Sequence, residues 1–338
     1  MPPHRGHIFL CNTASRMVDE LTVLVCSTDL EPIPGKLRYA WMREALPHIN
    51  IAHMHRDIPQ KPDDHPDFWN IWRRAIHEFH PAPIDRVFGS EPYISRLAKE
   101  LDATPLLIDP ERVIFPVSGS AIRENPAKYW NDLVVTSRPY FQKRLCLLGP
   151  ESTGKSRLAD TLAAHFGTLA MPEYGRRFDI DHMQGEDGNA KGQNWTEADL
   201  VLLANTHIAM REAMAPEAGA LLIEDTDIIQ TAIWAEFLLG APSPVLEEMI
   251  AGAALADHYL VLSADVQWID DGVRYAGDDN VRRWFFDDAI ARLQKLGLSY
   301  NIIEGTDWAA RTARAVGFAE QVFGGNRTSG AFDFKQPS

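Results

Sequence analysis

Long hydrophobic runs are missing from this 338-residue chain. No stretch of about eighteen apolar residues occurs, which excludes a membrane-spanning helix. Cysteine is scarce. Cys11, Cys26 and Cys146 lie far apart with no CxxC spacing, which excludes a disulfide scaffold and a zinc ribbon and fits a reduced, cytoplasmic compartment. Basic charge is in deficit, with 33 Lys and Arg against 47 Asp and Glu and a net charge of −14. Nucleic-acid binders carry a basic face because phosphate contacts supply much of their affinity, so nucleic acid is not an expected partner. A small anionic substrate stays open, since a few local cations and backbone N–H groups suffice to hold phosphate. The start, Met1-Pro2-Pro3-His4-Arg5-Gly6-His7, has no apolar core behind a basic end and reads as no secretion signal.

What is present is an ordinary globular balance, 45% apolar and 24% charged residues, in a chain long enough for two cores. Two strand–loop–helix beginnings divide it. The first is the PPHRGH segment with an apolar-periodic stretch from Ile8 to Val18, followed by the β-rich Leu21–Ser27. The second is an apolar strand at RLCLLG, a loop at GPESTGKS and an amphipathic helix at RLADTLAAHF. Between them Asp85–Ser90 and Ala103–Pro110 read as buried strands and Ser95–Leu101 as a helix. Strands alternating with helices predict an α/β protein with two parallel-sheet domains: residues 1–138, 139–325, and a polar tail over 326–338. A helix is expected through Tyr129–Val135, just before the boundary. The Gly- and Asn-rich Gln184–Asn194 predicts a mobile loop.

The strongest signal is Gly149-Pro150-Glu151-Ser152-Thr153-Gly154-Lys155-Ser156, a full G-x4-GK[ST] between a strand and a helix. Its glycines let successive backbone N–H groups turn inward around phosphate oxygens, and the helix N-terminus adds positive potential. Gly149 and Glu151 to Ser156 are therefore the expected ATP cradle. Lys155 reaches the β- and γ-phosphates, and the Ser156 hydroxyl ligates Mg²⁺. The apolar run Ala220–Ile223 ends in Glu224-Asp225-Thr226-Asp227, where Asp225 or Asp227 is placed to hold the metal. Glu173, after the apolar Thr168–Met171, should sit at the sheet edge beside the P-loop. It is a candidate base for the acceptor hydroxyl, with Asp225 as competitor and a salt bridge to Arg176 or Arg177 as the plain alternative. Tyr174, Arg176 and Asp227 are candidates to touch the acceptor. The polar stretch from Trp268 to Arg283, carrying Arg274 and Arg282, has the character of a segment that closes over ATP and brings guanidinium charge to the moving phosphoryl group; a solvated loop is the alternative.

At the other end, His4-Arg5-Gly6-His7 is an HxGH tetrapeptide. Two histidines three apart at a helix start can face a triphosphate and stabilise the charge that develops as pyrophosphate leaves. Metal ligation lacks a third ligand at suitable spacing. Val117-Ser118-Gly119-Ser120-Ala121-Ile122-Arg123 reads as a helix start that exposes N–H groups, with Arg123 one turn in at the anion-binding end. HxGH with SGSxIR about 110 residues later is the signature of nucleotidylyltransferases that position ATP for direct in-line attack.

With both motif sets in view, the chain resembles the NadR family of bifunctional nicotinamide-mononucleotide adenylyltransferase and ribosylnicotinamide kinase proteins. The residues that carry the resemblance are PPHRGHIFL, Arg56–Arg74 with Phe68, Trp69 and Trp72, VFGSEPY, VSGSAIRENP, GPESTGKS, PEYGRR, EDTD and WIDDGVR. The resemblance implies two reactions. A kinase uses MgATP to phosphorylate the ribose 5′-hydroxyl of ribosylnicotinamide, and a transferase joins nicotinamide mononucleotide to the AMP part of ATP, giving NAD and pyrophosphate. It also implies that His4, His7, Ser118 and Arg123 line the transferase ATP site. Trp69 would stack on nicotinamide there, and Trp268 would do likewise in the kinase; core packing is the alternative for both.

Two departures shape the expectations. Relatives begin with an apolar strand and a Gly-x-Phe loop before the Pro-x-His motif, and in this chain Met1 stands directly before Pro2. The expected consequence is a transferase sheet without its central strand and a weak or lost activity. Some relatives also carry an N-terminal DNA-binding module, and none is expected in this chain. The competing readings are a kinase with a degenerate N-terminal half and a non-catalytic nucleotide sensor. A homo-oligomer is left open.

Overall fold

In the computed structural model the described residues are 2–183, 195–269 and 276–326. The Gly- and Asn-rich loop, Arg274 and the tail expected from the sequence fall outside them. Contacts divide the chain into two compact units, Met1–Tyr140 and Phe141–Ser338. Among the described residues no helix is long and apolar enough to cross a membrane.

The first unit runs α1 (Arg5–Ser15), β1 (Thr22–Ser27), α2 (Gly35–Ala45), β2 (Asn50–His55), α3 (Phe68–Phe79), β3 (Arg86–Gly89), α4 (Ile94–Glu100), β4 (Thr104–Leu107), α5 (Gly119–Glu124) and a last turn, α6 (Arg138–Phe141). Its strands form two separate parallel pairs, β1 with β2 in register from Thr22↔Asn50 to Ser27↔His55, and β3 with β4 from Arg86↔Thr104 to Gly89↔Leu107. Among the described residues no strand joins β1 to β3. Each strand therefore has a partner on one edge only. β3 and β4, read from their apolar content as buried, keep only Gly89 buried. The core of this unit lies instead against β1 and β2, where Cys11, Met42, Leu46, Ile49 and Ile51 pack with Ile8, Val23 and Val25. The helix expected through Tyr129–Val135 is two short 3₁₀ turns, Trp130–Asp132 and Val135–Ser137. Leu133 breaks it by going extended to bridge His4, while the Trp130 ring is buried.

The second unit runs β5 (Lys143–Leu148), α7 (Lys155–Phe166), β6 (Ala170–Met171), α8 (Tyr174–Phe178), α9 (Glu197–Met214), β7 (Leu221–Asp225), α10 (Ile228–Leu239), α11 (Pro244–Gly252), β8 (His258–Leu262), α12 (Asp279–Lys295), β9 (Tyr300–Ile303) and α13 (Trp308–Phe323). All five strands are parallel, in the order β6-β7-β5-β8-β9. Parallel strands covered on both faces read as continuous apolar runs rather than alternating ones, and β7 and β8 are buried at every position. One face packs on α7 and α13 through Leu158, Leu162, Phe166, Ala315 and Phe323. The other packs on α9 to α12 through Leu200, Ile229, Ile233, Leu246, Phe285 and Leu293. The α7 helix shows why the motif and the fold coincide. Leu158, Ala159, Leu162, Ala163 and Phe166 recur at helical spacing on its buried face. Gly154 and Gly167, both left-handed, begin and end it.

Candidate functional sites

Strand order places the chemistry of the second unit. Because β5 and β7 are neighbours, the loop leaving β5 and the acids ending β7 meet at the carboxyl edge of the sheet, where open α/β sheets bind ligands. The loop is held rigidly. Gly149, at φ +138°, donates its N–H to Gln230 Oε1 at 3.0 Å, and a Cβ there would lie 2.6 Å from the Leu262 carbonyl oxygen. The buried Thr153 hydroxyl donates to the Pro150 carbonyl at 2.8 Å. Arg311, buried on α13, donates to the Thr153 carbonyl at 3.3 Å and to the Gly305 carbonyl at 2.8 Å, tying the loop to the end of β9. Lys155 is buried, and its Nζ lies 3.0 Å from the Gly149 and 3.1 Å from the Pro150 carbonyl oxygen. Ser152 (φ +60°) and Thr226 (φ +73°) are left-handed without being glycine, the kind of strain that collects at functional sites.

A cleft opens beside this loop. Glu151, Ser152, Thr153, Gly154, Lys155 and Ser156 form one wall, and Glu173 and Arg176 another. Eight residues singled out by sequence are thus brought together. Asp225 lies beneath them, with the Ser156 hydroxyl hydrogen-bonded to its carboxylate. Burial first, then the nearby Glu173 charge, pushes the Asp225 carboxyl up to about 7, against the pull of Lys155 and Ser156. Its Oδ1 is buried with no hydrogen-bond partner. An oxygen-only pair of hydroxyl and carboxylate with an unsatisfied oxygen suits Mg²⁺, which takes one or two protein ligands and completes its shell with water and substrate phosphate. Among the described residues no cluster of three or more His, Cys, Asp or Glu side chains could hold a metal by itself.

Other expected residues land elsewhere. Asp227 is no part of the cleft wall. It caps α10 by accepting from the Ile229 N–H at 2.9 Å and takes the Tyr259 hydroxyl at 2.7 Å; burial pushes its carboxyl up to about 6. Arg282 is turned inward: only 1% exposed, it donates to the Val266 carbonyl at 2.8 Å. A helical register that buries Phe285 and Ala289 on α12 buries Arg282 with them. Tyr174 packs edge-on against Phe178, not on the cleft. The Trp268 ring donates toward Glu151 Oε2 at 3.4 Å, and the Ala276 N–H donates to the same oxygen at 3.1 Å. The Ser152 hydroxyl and the Ile269 backbone are likewise joined. Glu151 and Ser152 of the phosphate loop thus grip both flanks of the Arg-bearing stretch, a contact that sequence reasoning missed. It also missed the far wall of the cleft, which is made by Asp179, Trp195, His207, Thr231 and Trp234. These residues come from separate elements and share no motif.

In the first unit His4 and His7 stand together, ring centroids 3.9 Å apart. The His7 Nδ1 accepts the His4 backbone N–H at 3.3 Å, so the proton of neutral His7 belongs on Nε2. Burial, then the charges of His7 and Arg112, lowers His4 to about 3, and burial lowers His7 to about 4. The Nδ1 of His4 is buried without a partner. Phe115 packs against Phe9 of α1 with Arg5 above its ring. This draws the segment before α5 onto the HxGH helix, and Ser118 caps α5 by accepting the Ala121 N–H. Arg123 donates to the Ser120 hydroxyl at 3.4 Å. Trp69 packs on Phe68 with the Arg96 guanidinium 5.7 Å from its ring. A hollow in this unit is lined by Ile8, Phe9, Met17 and Leu133, among others, and none of His4, His7, Ser118, Arg123 or Trp69 lines it. Sequence reasoning also passed over the carboxyl edge of β1 and β2, where the Ser27 hydroxyl lies 2.8 Å from His53 Nε2 and 3.0 Å from His55 Nδ1.

Fold and sites define a class, a two-domain transferase in which a P-loop nucleotide-binding unit follows a nucleotidylyltransferase-type unit. Residues 2–125 match the cytidylyltransferase-like family and residues 144–311 the AAA domain family. Over 96% of its length the chain is 25% identical to the trifunctional NAD biosynthesis/regulator protein NadR of Escherichia coli K12, of which it covers 82%. It is equally similar to the Salmonella typhimurium LT2 protein of the same description, of which it covers 81%. A crystal structure of a NadR protein in complex with NR shares the fold with a TM-score of 0.73 at 20% identity, over 99% of this chain and 95% of the other. A second, of a NadR protein with NAD and AMP-PNP, matches with the same score and identity over 98% and 95%. Along nearly its whole length the chain is similar to the NadR family.

Proposed function

We propose that this protein works in NAD biosynthesis through two transfers, phosphorylation of ribosylnicotinamide by its second unit and adenylyl transfer to nicotinamide mononucleotide by its first. The observation that carries the kinase half is the shared cleft: the phosphate cradle Glu151–Ser156, the carboxylate of Glu173 and a set of apolar side chains line one space. The ribose 5′-hydroxyl attacks the γ-phosphorus in line, its proton passes to Glu173, and ADP leaves. Lys155 and the loop N–H groups hold the β- and γ-oxygens. Ser156 and Asp225 are the residues that would hold Mg²⁺, which would supply Lewis-acid charge compensation to the phosphates.

For the first unit, HxGH and SGSxIR support adenylyl transfer, with neutral His4 and His7 as hydrogen-bond donors to the α-phosphate and leaving pyrophosphate. The separation of its strands into two pairs favours one second reading, in which the kinase alone turns over. Product analysis separates the two. With ribosylnicotinamide and MgATP, the expected product is nicotinamide mononucleotide, lost at least about a hundredfold in Lys155→Ala. With nicotinamide mononucleotide and ATP, the expected products are NAD and pyrophosphate at a rate unchanged by Lys155→Ala. Absence of the second reaction leaves the kinase reading alone; absence of both removes the proposal.

A further inference from the structure

The hollow of the first unit lies along a face of α1 that the HxGH histidines do not share. Arg5, Phe9, Asn12 and Arg16 recur on that face at helical spacing, while Cys11 and Ala14, on the opposite side of the helix, are buried in the unit's core. The floor is apolar: Phe9, packed on Phe115, meets the buried Leu133 and Val134. Around it the charge is of one sign. The Arg5 guanidinium lies 5.3 Å from the Phe115 ring and that of Arg138 5.9 Å from the Trp130 ring; a guanidinium stacked by its face keeps its N–H edge for an anion. Arg16 stands at the other end of α1, about 16 Å from Arg5 along the helix. Among the described residues no carboxylate lines the hollow, although the chain carries 47 Asp and Glu against 33 Lys and Arg. Neither Arg5 nor Arg16 is in an ion pair among the described residues. The main chain here is already paired. The Leu133 N–H donates to the Tyr129 and Trp130 carbonyls at 3.3 Å, the Val134 N–H to Pro3 at 3.4 Å and the Ser137 N–H to Val134 at 2.9 Å. An extended peptide binds by main-chain hydrogen bonds to a free edge and finds none on this segment. A hydrocarbon body needs none.

We propose that this hollow binds a free amphiphilic anion, a carboxylate or phosphate on an apolar body of acyl-chain length, with its head at the arginines and its body on Phe9, Leu133 and Val134. The head makes charge-assisted hydrogen bonds to a guanidinium, and the body takes apolar surface out of water. A neutral alcohol forgoes the first and a short acid the second. His4, His7, Ser118 and Arg123 do not line the hollow, so an occupant leaves the place of the nucleotide open. Adenylyl transfer can therefore fail without touching this site, and the reverse.

The test is titration calorimetry of the full chain with laurate, kept below its micelle concentration. Laurate should bind saturably, one per chain, and equally well with saturating ATP present. Octanoate, four methylenes shorter, should bind at least about a hundredfold more weakly. Dodecanol, which lacks the charge, should bind at least about tenfold more weakly. Val135 is 40% exposed on the rim; Val135→Glu sets an anion there and should weaken laurate at least about tenfold with the melting temperature unchanged. Arg16→Gln/Arg138→Gln removes two of the cations and should bring laurate down to the affinity of dodecanol. No saturable binding of laurate overturns the proposal, as does dodecanol binding as tightly as laurate. Displacement of laurate by ATP overturns it by placing the anion in a nucleotide site. Unchanged laurate affinity in folded Val135→Glu overturns it as well. Capture of the chain by phosphatidic acid vesicles without binding of free laurate overturns it in favour of a membrane surface.

Discussion

Replacing Gly154 tests how the phosphate loop is supported, because the cost divides into two parts with different remedies. The residue has φ +86°, and a Cβ built on it would lie 2.0 Å from Trp308 Cη2, 2.5 Å from Cζ3 and 3.2 Å from Cζ2. An alanine in the left-handed region costs about 1–2 kcal/mol. Ring contact is the other part. Carbon atoms rest about 3.5–4.0 Å apart, so the indole must withdraw by about 1.5 Å. It is not free to do so: Trp308 is the first residue of α13, whose cap Asp307 holds the Ala309 N–H at 2.9 Å, and the Arg157 guanidinium sits 4.6 Å from its ring centroid. Overpacking of this kind costs about 1–3 kcal/mol. Together Gly154→Ala should destabilise the second unit by about 2–5 kcal/mol, a fall in melting temperature of about 10 °C for a unit of this size.

The two parts separate in a double-mutant cycle. Trp308→Ala removes the clash and leaves the backbone strain, so the double variant should be more stable than additivity allows by about 1–3 kcal/mol. Urea unfolding followed by tryptophan fluorescence gives the stabilities, with circular dichroism as a second probe because Trp308 itself reports. ATP binding measured by calorimetry should weaken in Gly154→Ala and recover in part in the double variant. Additivity within about 0.5 kcal/mol, or a Gly154→Ala protein that melts with wild type, would refute the idea that the indole braces the loop.

Two further outcomes follow from buried groups. His4 and His7 have pKa values of about 3 and 4 in the fold against 6.5 unperturbed. Below pH 6.5 the unfolded chain therefore takes up protons that the folded one refuses, and stability falls as pH drops toward 4, by up to about 1.4 kcal/mol per pH unit for each histidine. Above pH 7 neither contributes a slope. Urea unfolding of wild type and His4→Gln/His7→Gln at several pH values measures the difference, and parallel profiles between pH 6.5 and 4 would show that the pair is not buried. In the second unit Glu224 is fully buried, with Oε1 2.5 Å from Arg144 Nε and Oε2 unpartnered. Arg144→Met strands that charge and should cost about 3–5 kcal/mol in chemical denaturation, while Arg144→Met/Glu224→Met should return to within about 1–2 kcal/mol of wild type. A cheap single variant would sink this reading.

The parts of the fold that could be read in the sequence are those where one local rule decides. The strand into Gly149, the loop and α7 are fixed by an apolar run, a spacing of glycines and a helical stripe ending at Gly167, all within about thirty residues. The apolar run ending at Asp225 gave β7 for the same reason. Where the sequence misled, a second constraint overrode the first. Leu133 would continue a helix on pattern alone, but it is drawn into a bridge with His4. Val87 and Leu106 look like core strand residues, yet both are only half-buried. Arg282 looks like a lid cation, and the phase of α12 turns it into the core.

The rest of the cleft lining was illegible for a different reason. Asp179, Trp195 and His207 belong to a turn after α8, the residue before the cap of α9, and the body of α9. Each is unremarkable in its own window: an acid after an Arg pair, a tryptophan before a capping threonine, a histidine on a helix. What they share is a buried polar atom with no partner and a place on one cleft. Pairing is a property of neighbours in space, and the residues that line this cleft are spread from Glu151 to Leu238 in the chain. A phosphate loop can be read from sequence because backbone N–H groups bind phosphate, and backbone conformation is set locally by glycine. A nucleoside base is bound by side chains, whose meeting is set by how α8 and α9 pack over the sheet. Catalytic class is therefore legible in a chain like this one before acceptor specificity is.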